Sequence, residues 1–556
     1  MKLTEILSQI SSQNIKLWTE GDELKISAPK GTLTKEIRDL LSQNKLELVS
    51  LLRQKSSNIT ATSSLPTLIP APEERYQPFP LNAIQQAYWI GRNGFFDLGN
   101  IATHSYVELD CENLNLERLN QAWRQLIEHH EILRMVVLAD GNQQILEQVP
   151  PYEIEVLDLS GESPRTIASE LENLRNHMSH QVLPTNQWPL FDLRAARLNE
   201  QWCRLYIDID MLILDGFSIN MLFEQWGQLY KEPESELPAT EISFRDYVLS
   251  ELALKDSPQY LRSQQYWFNR LDKLPPAPEI PQAKITSAIT NPRFNTHTAR
   301  LSTTNWQQLK HKARKADLSP SGVLLSAFAY ILNYWSKSPK FTINLTIFNR
   351  LPLHPQVNEL LGDFTSSILL EVDHSQAVPF ISRAQKLQKL LWVDLEHRYI
   401  NGVEVQRELH RRGRSQPMGV VFTSILGFEY LVDQRLGTRL GLDQFGEEVY
   451  RIGTTPQVWL DHVVAEKKGA LIFHWYAVES LFPEGLIDQM FEAYCDLLQQ
   501  LATSDEPWME TYYQLLPTAQ LALQAQVNQT TQSWREGLLH CLLCTSPSPR
   551  DLLKSR

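Results

Sequence analysis

At 556 residues the chain is too long for one compact core, because a domain typically takes about 100 to 200 residues. An apolar fraction of 42% and 14 tryptophans are typical of a globular protein and exclude a disordered chain. The 52 basic residues are scattered among 65 acidic ones, for a net charge of -13, which argues against nucleic acid as a partner.

The cysteines indicate a reducing compartment. Five of them in a chain of this length are too few for a disulfide framework, so a cytoplasmic protein is predicted. Cys111, Cys203 and Cys495 each stand alone among apolar residues and are interpreted as buried thiols. Cys541 and Cys544 have one histidine beside them, which leaves a four-ligand zinc site incomplete, so no metal is expected.

Neither export nor membrane association is expected. The N-terminus, MKLTEILSQISSQ, is amphipathic and lacks the unbroken apolar stretch of a signal peptide. The most apolar run, residues 323–335, is shorter than the roughly 20 residues that span a bilayer. This run predicts a buried helix.

Residues 1–54 are predicted to form a small separate domain. Leu3, Ile6, Leu7 and Ile10 lie at helical spacing and form one apolar stripe. The alternating segments IKLW and ELKIS predict a hairpin, and two further amphipathic helices follow it. So small a unit is marginally stable alone, which favours a role in binding a partner.

The rest of the chain divides by composition. Residues 55–77 are rich in Ser, Thr and Pro and predict a linker. Helical and strand-like patterns then alternate without a repeat, and the Pro-rich passage LPPAPEIP separates two α/β lobes, 78–274 and 275–510. Residues 511–540 are interpreted as a second linker, and 541–556 as an atypical tail unlike the rest of the chain.

The most informative string is DMLILDGFS, which follows a strand pattern and precedes an apolar helix. Its two acids, Asp210 and Asp215, lie in an apolar context, where an ionised carboxylate is costly unless it is paired or hydrogen-bonded. The residues alone leave two interpretations open, a structural ion-pair network or participation in chemistry.

This string resembles the D-x-x-x-x-D-x-x-S motif of heterocyclization domains, a branch of the condensation-domain superfamily in nonribosomal peptide synthetases. Asp210, Asp215 and Ser218 occupy its three defining positions. Ordinary condensation domains have H-H-x-x-x-D-G there, and the place of their second His is taken by Met211. A thioether cannot take up a proton, so amide formation assisted by that His is excluded.

Further strings resemble the same branch in family order. They begin with FPLNAIQQAYWIGR, in which Asn82 stands where Thr is usual, and continue with LRMVVLADGNQQ, FRDYV, YWFNRLDKLPPAPEIP, LTIFNRLPLHP, GDFTSSILLEVD, VVFTSILG and TPQVWLDHV. This resemblance implies two chloramphenicol-acetyltransferase-like lobes in a V-shaped pseudo-dimer. The N-terminal unit resembles tubulysin-type docking domains. Residues 515–531 resemble the lead-in to an adenylation domain, so a fragment of a longer synthetase is expected.

The resemblance implies a two-step reaction. An upstream acyl group is first joined to the amine of Cys, Ser or Thr, and cyclodehydration then gives a thiazoline or oxazoline. Both substrates are carried on the 4'-phosphopantetheine of partner carrier proteins, so the domain itself is expected to bind no cofactor. The implied partners are upstream and downstream carrier proteins and an upstream synthetase subunit that binds the docking domain.

The family's reactive pair falls on Thr423 and Asp461. The resemblance implies that Asp461 is the acid/base and that the Thr423 hydroxyl is its hydrogen-bonding partner. Judged by residue type alone, the two would be an ordinary strand Thr and a loop carboxylate. One departure lies close by, since the family commonly has Gln two residues after the Asp, where Val463 stands.

Four more residues are predicted to belong to the site. Arg350 is the predicted basic partner of Asp215. Asn349, Gln457 and Ser424 are predicted to orient the tethered substrate, although the two amides could equally satisfy backbone groups.

Two competing functions follow from the same residues. The chain could be a docking and scaffold protein whose condensation fold has lost its chemistry, an alternative favoured by Val463 and the atypical tail. A free-standing acyltransferase of the superfamily would need the catalytic His that Met211 replaces, which makes it the weakest interpretation.

Overall fold

A computed structural model of the chain describes residues 16–20, 23–27, 65–92, 94, 96–414, 417–426, 441–513 and 526–528. β1 (Lys16–Glu20) and β2 (Glu23–Ser27) pair antiparallel, as expected for the predicted hairpin. The helices predicted elsewhere in residues 1–54, and the tail 541–556, lie outside the described residues.

The first lobe contains most of the elements from residue 79 to residue 268. In chain order they are β3 (Phe79–Pro80), α1 (Ala83–Gly91), β4 (His104–Glu112), α2 (Leu116–His129), β5 (Met135–Val137), β6 (Asn142–Ile145), β7 (Glu155–Asp158), α3 (Pro164–Met178), β8 (Phe191–Arg197), β9 (Trp202–Asp210), α4 (Gly216–Lys231), α5 (Phe244–Ala253) and α6 (Pro258–Phe268).

The second lobe contains the elements from residue 295 onward. They are β10 (Asn295–Leu301), α7 (Thr303–Lys315), α8 (Pro320–Trp335), β11 (Lys340–Phe348), β12 (Thr365–Asp373), α9 (Phe380–Glu396), α10 (Gly402–Arg411), β13 (Val420–Ser424), β14 (Glu447–Thr454), β15 (Leu460–Lys467), β16 (Ala470–Ala477), α11 (Leu486–Thr503) and α12 (Glu506–Met509).

Each lobe has one large sheet, and the first lobe also has a three-stranded sheet of order β3-β6-β5, which confirms the predicted α/β class. The second-lobe sheet has the order β10-β16-β15-β13-β11-β12, and the first-lobe sheet has the order β14-β4-β9-β8-β7. β14 therefore leaves its own lobe and pairs antiparallel with β4, with Tyr450 opposite Glu108. This crossover of β14 joins the two lobes through main-chain hydrogen bonds.

The apolar run at 323–335 is a buried helix, as predicted. It lies within α8, where the Ser319 hydroxyl caps the helix by accepting a hydrogen bond from the Gly322 amide at 3.0 Å. Residues 322–332 of α8 are buried in the second lobe. A helix that is apolar on every face belongs in a protein core. Among the described residues, no helix has the length and apolar character needed to cross a membrane.

Cys111 and Cys203 are buried thiols, as predicted, whereas Cys495 is half-buried. Cys111 on β4 lies directly opposite Cys203 on β9, and the Cys111 thiol donates a hydrogen bond to the Leu109 carbonyl at 3.6 Å. Strand register brings the two cysteines together, which local sequence could not reveal. The described cysteines, including Cys495, are free thiols.

The segment predicted as the first linker differs from expectation in its second half. Leu68 is buried, and its amide donates a hydrogen bond to the carbonyl of Leu353 at 3.0 Å. The chain therefore packs against the lobes before β3 begins. Its Ser, Thr and Pro content gave no sign of this single buried anchor.

Candidate active site

Asp210, the first acid of the motif, ends β9 and is almost completely buried. Its Oδ1 accepts a hydrogen bond from the Leu212 amide at 2.9 Å, and its Oδ2 forms an ion pair with Arg92, which follows α1. A buried carboxylate needs such partners to offset its desolvation. These contacts tie the motif loop to the end of α1.

Asp215, the second acid, is the N-cap of α4. Its Oδ1 accepts a hydrogen bond from the Ser218 amide at 2.7 Å, and its Oδ2 accepts one from the Phe364 amide at 3.2 Å. Its own amide donates to the Gly362 carbonyl at 3.0 Å. The carboxylate therefore connects the first turn of α4 with the segment that enters β12 in the other lobe.

Arg350 lies beside Asp215, the partner predicted for it. Its Nη2 is 3.4 Å from Oδ1 of Asp215 and donates to the Ser218 hydroxyl at 2.7 Å. Its Nη1 donates to the carbonyls of Val357 and Leu360 at 2.9 and 2.8 Å. Burial lowers the pKa of Arg350 and the charge of Asp215 raises it in part, but a guanidinium stays protonated in proteins. The Arg350 guanidinium therefore links the first turn of α4 to residues 357–360.

Thr423 and Asp461 lie on neighbouring parallel strands, β13 and β15. Val421 is in register with Asp461, and Thr423 is in register with Val463. Because side chains alternate along a strand, Thr423 and Asp461 extend from the same face of the sheet. The Thr423 hydroxyl donates to the Thr346 hydroxyl at 3.0 Å and also interacts with the Asp461 carboxyl.

The environment of Asp461 favours its neutral form. The residue is half-buried, and its Oδ1 is closed off from solvent without a hydrogen-bond partner among the described residues. Burial raises the pKa of Asp461 to about 7, although the hydrogen bond with Thr423 opposes this effect. Desolvation disfavours the charged carboxylate, so both protonation states are populated near neutral pH. An acid/base group requires this property.

The predicted substrate-orienting residues have different surroundings. Ser424 shares a hydrogen bond of 2.8 Å with Ser321 in the first turn of α8. Gln457 is exposed in the loop before β15 and has a left-handed backbone with φ of 62°. Asn349 is buried, and its amide donates to the Arg398 carbonyl at 3.3 Å. The Asn349 side chain thus satisfies the backbone, the second of its two predicted uses.

Met211 and Val463, two residues that depart from the usual motifs, have different surroundings. Met211 is half-buried against the core of the first lobe, and its amide donates to the Thr103 carbonyl at 2.8 Å. Val463 lies opposite Thr423 on one neighbouring strand and opposite His474 on the other. A side chain at position 463 therefore borders the Thr423–Asp461 face.

Sequence reasoning missed two residues near this face, Tyr88 and Asp363. The side chain of Asp363 is fully buried, and its Oδ2 has no hydrogen-bond partner among the described residues. Tyr88 lies on α1 and is acted on by the charges of Asp363, Asp461 and Asp215. Both residues belong to strings that carried the family resemblance, but only the fold brings each of them within the influence of Asp215.

Both domains match known families. Residues 76–523 match the condensation domain, and residues 3–54 match the TubC N-terminal docking domain.

Curated relatives are much longer than this chain. Pyochelin synthetase PchF of Pseudomonas aeruginosa is 34% identical over 517 residues, which are 92% of this chain and 27% of that protein. Phenyloxazoline synthase MbtB of Mycobacterium tuberculosis is 34% identical over 501 residues, which are 86% of this chain and 34% of that protein. The chain thus spans about a third or less of these relatives.

A solved structure covers nearly the whole chain. It is the cyclization-docking bidomain of the synthetase EpoB from Sorangium cellulosum, which has a TM-score of 0.77 and 38% identity over 91% of this chain and 99% of that one. The docking match, the condensation match and this likeness follow the same domain order. The chain therefore belongs to the condensation-domain family of nonribosomal peptide synthetases, in its heterocyclization branch and with an N-terminal docking domain.

Proposed function

We propose that this chain joins an acyl group from an upstream carrier protein to carrier-bound Cys, Ser or Thr and then closes a thiazoline or oxazoline ring. One observation carries the proposal. Asp461 is half-buried on the same sheet face as Thr423, and burial raises the pKa of this carboxyl to about 7. The names of the relatives, among them a phenyloxazoline synthase and a cyclization-docking bidomain, support the same reaction class.

The first step forms an amide between the two tethered substrates. The amine of the downstream aminoacyl thioester attacks the upstream thioester carbonyl, the C–N bond forms and the C–S bond breaks. The amine proton is transferred, and the upstream pantetheine leaves as a thiol. Met211 cannot accept that proton, so this step depends on positioning of the two thioesters rather than on a motif base.

The second step closes the ring and releases water. The side-chain thiol or hydroxyl of the new residue attacks the amide carbonyl, and the former carbonyl oxygen then departs. This oxygen needs two protons, while the nucleophile and the amide nitrogen each lose one. We assign these transfers to Asp461, because a carboxyl with a pKa of about 7 can donate and accept protons near neutral pH.

The remaining residues are proposed to position this chemistry. Thr423 orients the Asp461 carboxyl, and Ser424 and Gln457 contact the tethered substrate. The cluster defined by Asp210, Asp215, Ser218 and Arg350 holds the first lobe to the second, since its hydrogen bonds reach the segment that enters β12. Asn349 is proposed to support the backbone.

The proposed partners follow from the domain order. The docking domain, residues 3–54, is expected to bind an upstream synthetase subunit, and the condensation fold to receive carrier proteins with 4'-phosphopantetheine arms. No cofactor of its own is proposed for the domain. The free thiols of Cys111, Cys203 and Cys495 agree with a proposed location in the reducing cytoplasm.

Intact mass of the carrier-bound product tests the reaction. The full chain is mixed with an upstream acyl-carrier and a downstream cysteinyl-carrier, and Asp461→Ala serves as the paired variant. We expect the wild type to give a product lighter than the linear amide by one water, and the variant to stop at the linear amide. Linear amide from both proteins would limit the chain to condensation. No product from either would favour the docking and scaffold alternative.

A further inference from the structure

Tyr88 has a hydroxyl group without a hydrogen-bond partner in the described part of the chain. The residue lies on α1 and is half-buried against the core of the first lobe. Its hydroxyl makes no hydrogen bond to any residue that the structure describes. A phenol hydroxyl that no protein group engages is available to donate a hydrogen bond to a ligand.

The contacts made by the neighbours of Tyr88 on α1 define its position. Gln85, one turn earlier, donates a hydrogen bond to the carbonyl of Leu212 in the motif loop at 2.7 Å. Gly91, one turn later, packs so closely on the loop before β15 that an added Cβ would lie 2.7 Å from Pro456. Residues three apart share one helix face. Tyr88 therefore lies between the motif loop and the loop that leads to Asp461.

The N-terminus of α1 is held against the second lobe. The Asn82 side chain caps the helix through the Gln85 amide and donates a hydrogen bond to the Asp363 carbonyl at 2.8 Å. Helix α1 is thus fixed at both ends, to the segment that enters β12 and to the loop before β15. A rigid helix of this kind positions the Tyr88 side chain more precisely than a loop would.

The charges of three carboxyl groups act on the phenol. Burial and the charges of Asp363, Asp461 and Asp215 raise the pKa of Tyr88 well above its usual value. The phenol therefore keeps its proton near neutral pH and acts as a neutral hydrogen-bond donor. The Asp363 side chain is fully buried, which raises the pKa of its carboxyl as well. Tyr88 is also close enough to Asp461 for the charge of that carboxyl to act on the phenol.

We propose that Tyr88 is a catalytic residue whose hydroxyl donates a hydrogen bond to the substrate oxygen that leaves as water. The inference rests on the proposed heterocyclization. As the nucleophile attacks, negative charge develops on the amide oxygen, and a fixed donor stabilises that charge. Asp461 takes the proton of the nucleophile and then that of the amide nitrogen, and delivers each to this oxygen. Tyr88 keeps its own proton throughout, and the C–O bond breaks with loss of water.

Cyclodehydration can be measured apart from condensation by loading a linear acyl-cysteinyl thioester on the downstream carrier. We expect Tyr88→Phe to slow the loss of water roughly 10²-fold, the usual effect of removing one donor to a developing oxyanion. Amide formation by the same sample from separate substrates should stay close to the wild-type rate, which reports that the variant is folded and binds both carriers. Tyr206→Phe is the matched control, since its buried hydroxyl also has no partner among the described residues and none of the three carboxyls acts on it.

Several outcomes would overturn this inference. Wild-type cyclodehydration rates in Tyr88→Phe would remove Tyr88 from the chemistry and leave the proposed function standing. Equal losses of amide formation and water loss would assign Tyr88 to packing. A wild-type protein that forms amide and never loses water would overturn the proposed heterocyclization and this inference with it.

Discussion

Thr423 lies two residues beyond Val421, the residue in register with Asp461 on the neighbouring parallel strand, so Thr423 and Asp461 occupy one face of the second-lobe sheet. Side chains two apart on a strand extend in the same direction. A hydroxyl and a carboxyl are thus held on rigid strands instead of on a loop. Their mutual position is fixed by main-chain pairing, and burial raises the pKa of the Asp461 carboxyl.

The first prediction concerns the pH dependence of cyclodehydration. Burial raises the pKa of Asp461 to about 7, and the ionised form is the one that takes the proton of the nucleophile. The rate of water loss from a preformed linear amide is therefore expected to rise as pH rises through this value. In Asp461→Asn the rate should drop about 10²- to 10⁴-fold, the range of general acid–base catalysis, and lose this inflection. The same inflection in both proteins would assign it to another group.

The second prediction tests the contact between Thr423 and Asp461. The interaction of the Thr423 hydroxyl with the Asp461 carboxyl lowers the pKa of Asp461. Thr423→Val keeps the shape of the side chain and removes the hydroxyl, so the inflection in the pH profile should move to higher pH. Thr423→Ser retains the hydroxyl and should keep the wild-type inflection. An unchanged profile in Thr423→Val would show that this hydroxyl does not act on the acid.

The third prediction concerns stability. A carboxyl has a pKa of about 3.9 in an unfolded chain, whereas burial raises the pKa of Asp461 to about 7 in the folded state. Between these values the folded state binds more protons than the unfolded state, so the contribution of Asp461 to stability decreases as pH rises. Asp461→Asn should therefore gain melting temperature relative to the wild type from pH 5 to pH 8. Parallel melting curves across this range would contradict the shift.

Local sequence patterns were sufficient for several features. The β9 strand and helix α4 follow from a β-type run and an apolar helix pattern, both encoded within neighbouring residues. Placing Thr423 beside Asp461 required the family resemblance, because the register of two separate strands is not a local property. The resemblance supplied residues, and the fold supplied their geometry.

Contacts between distant segments could not be predicted. The exchange of β14 into the first-lobe sheet, with Tyr450 opposite Glu108, depends on pairing between strands from different lobes. The pairing of Cys111 with Cys203 depends on the register between β4 and β9. Tyr88 is an unremarkable helical tyrosine in the sequence. Its significance arises from surrounding acids that the chain brings together only on folding.

The fourth prediction tests the junction around Arg350. Arg350→Met keeps much of the buried stem but removes the donors to Asp215, Ser218, Val357 and Leu360. A buried carboxylate left without its partner typically costs about 3–5 kcal/mol of unfolding free energy. Denaturant unfolding should show this loss, while the ratio of linear amide to azoline from folded protein stays unchanged.

Asp215→Asn is the second single variant of a double-mutant cycle at this junction. Asn is as good an N-cap as Asp, so this change removes the charge and retains the cap. The double variant Arg350→Met, Asp215→Asn should lose less unfolding free energy than the sum of the two single variants, since each single change already removes the Arg350–Asp215 ion pair. Wild-type stability in Arg350→Met, together with a selective loss of azoline, would instead place Arg350 in contact with the substrate.

The fifth prediction concerns Val463, which stands where related domains commonly have Gln. It lies opposite Thr423 and two residues after Asp461, on the same sheet face. In Val463→Gln the amide can donate a hydrogen bond to the Asp461 carboxylate, which favours the charged form and should move the pH inflection downward. Val463→Leu offers no donor and should keep the wild-type inflection. If the two variants behave alike, position 463 contributes only volume, and the native valine is fully compatible with acid–base chemistry by Asp461.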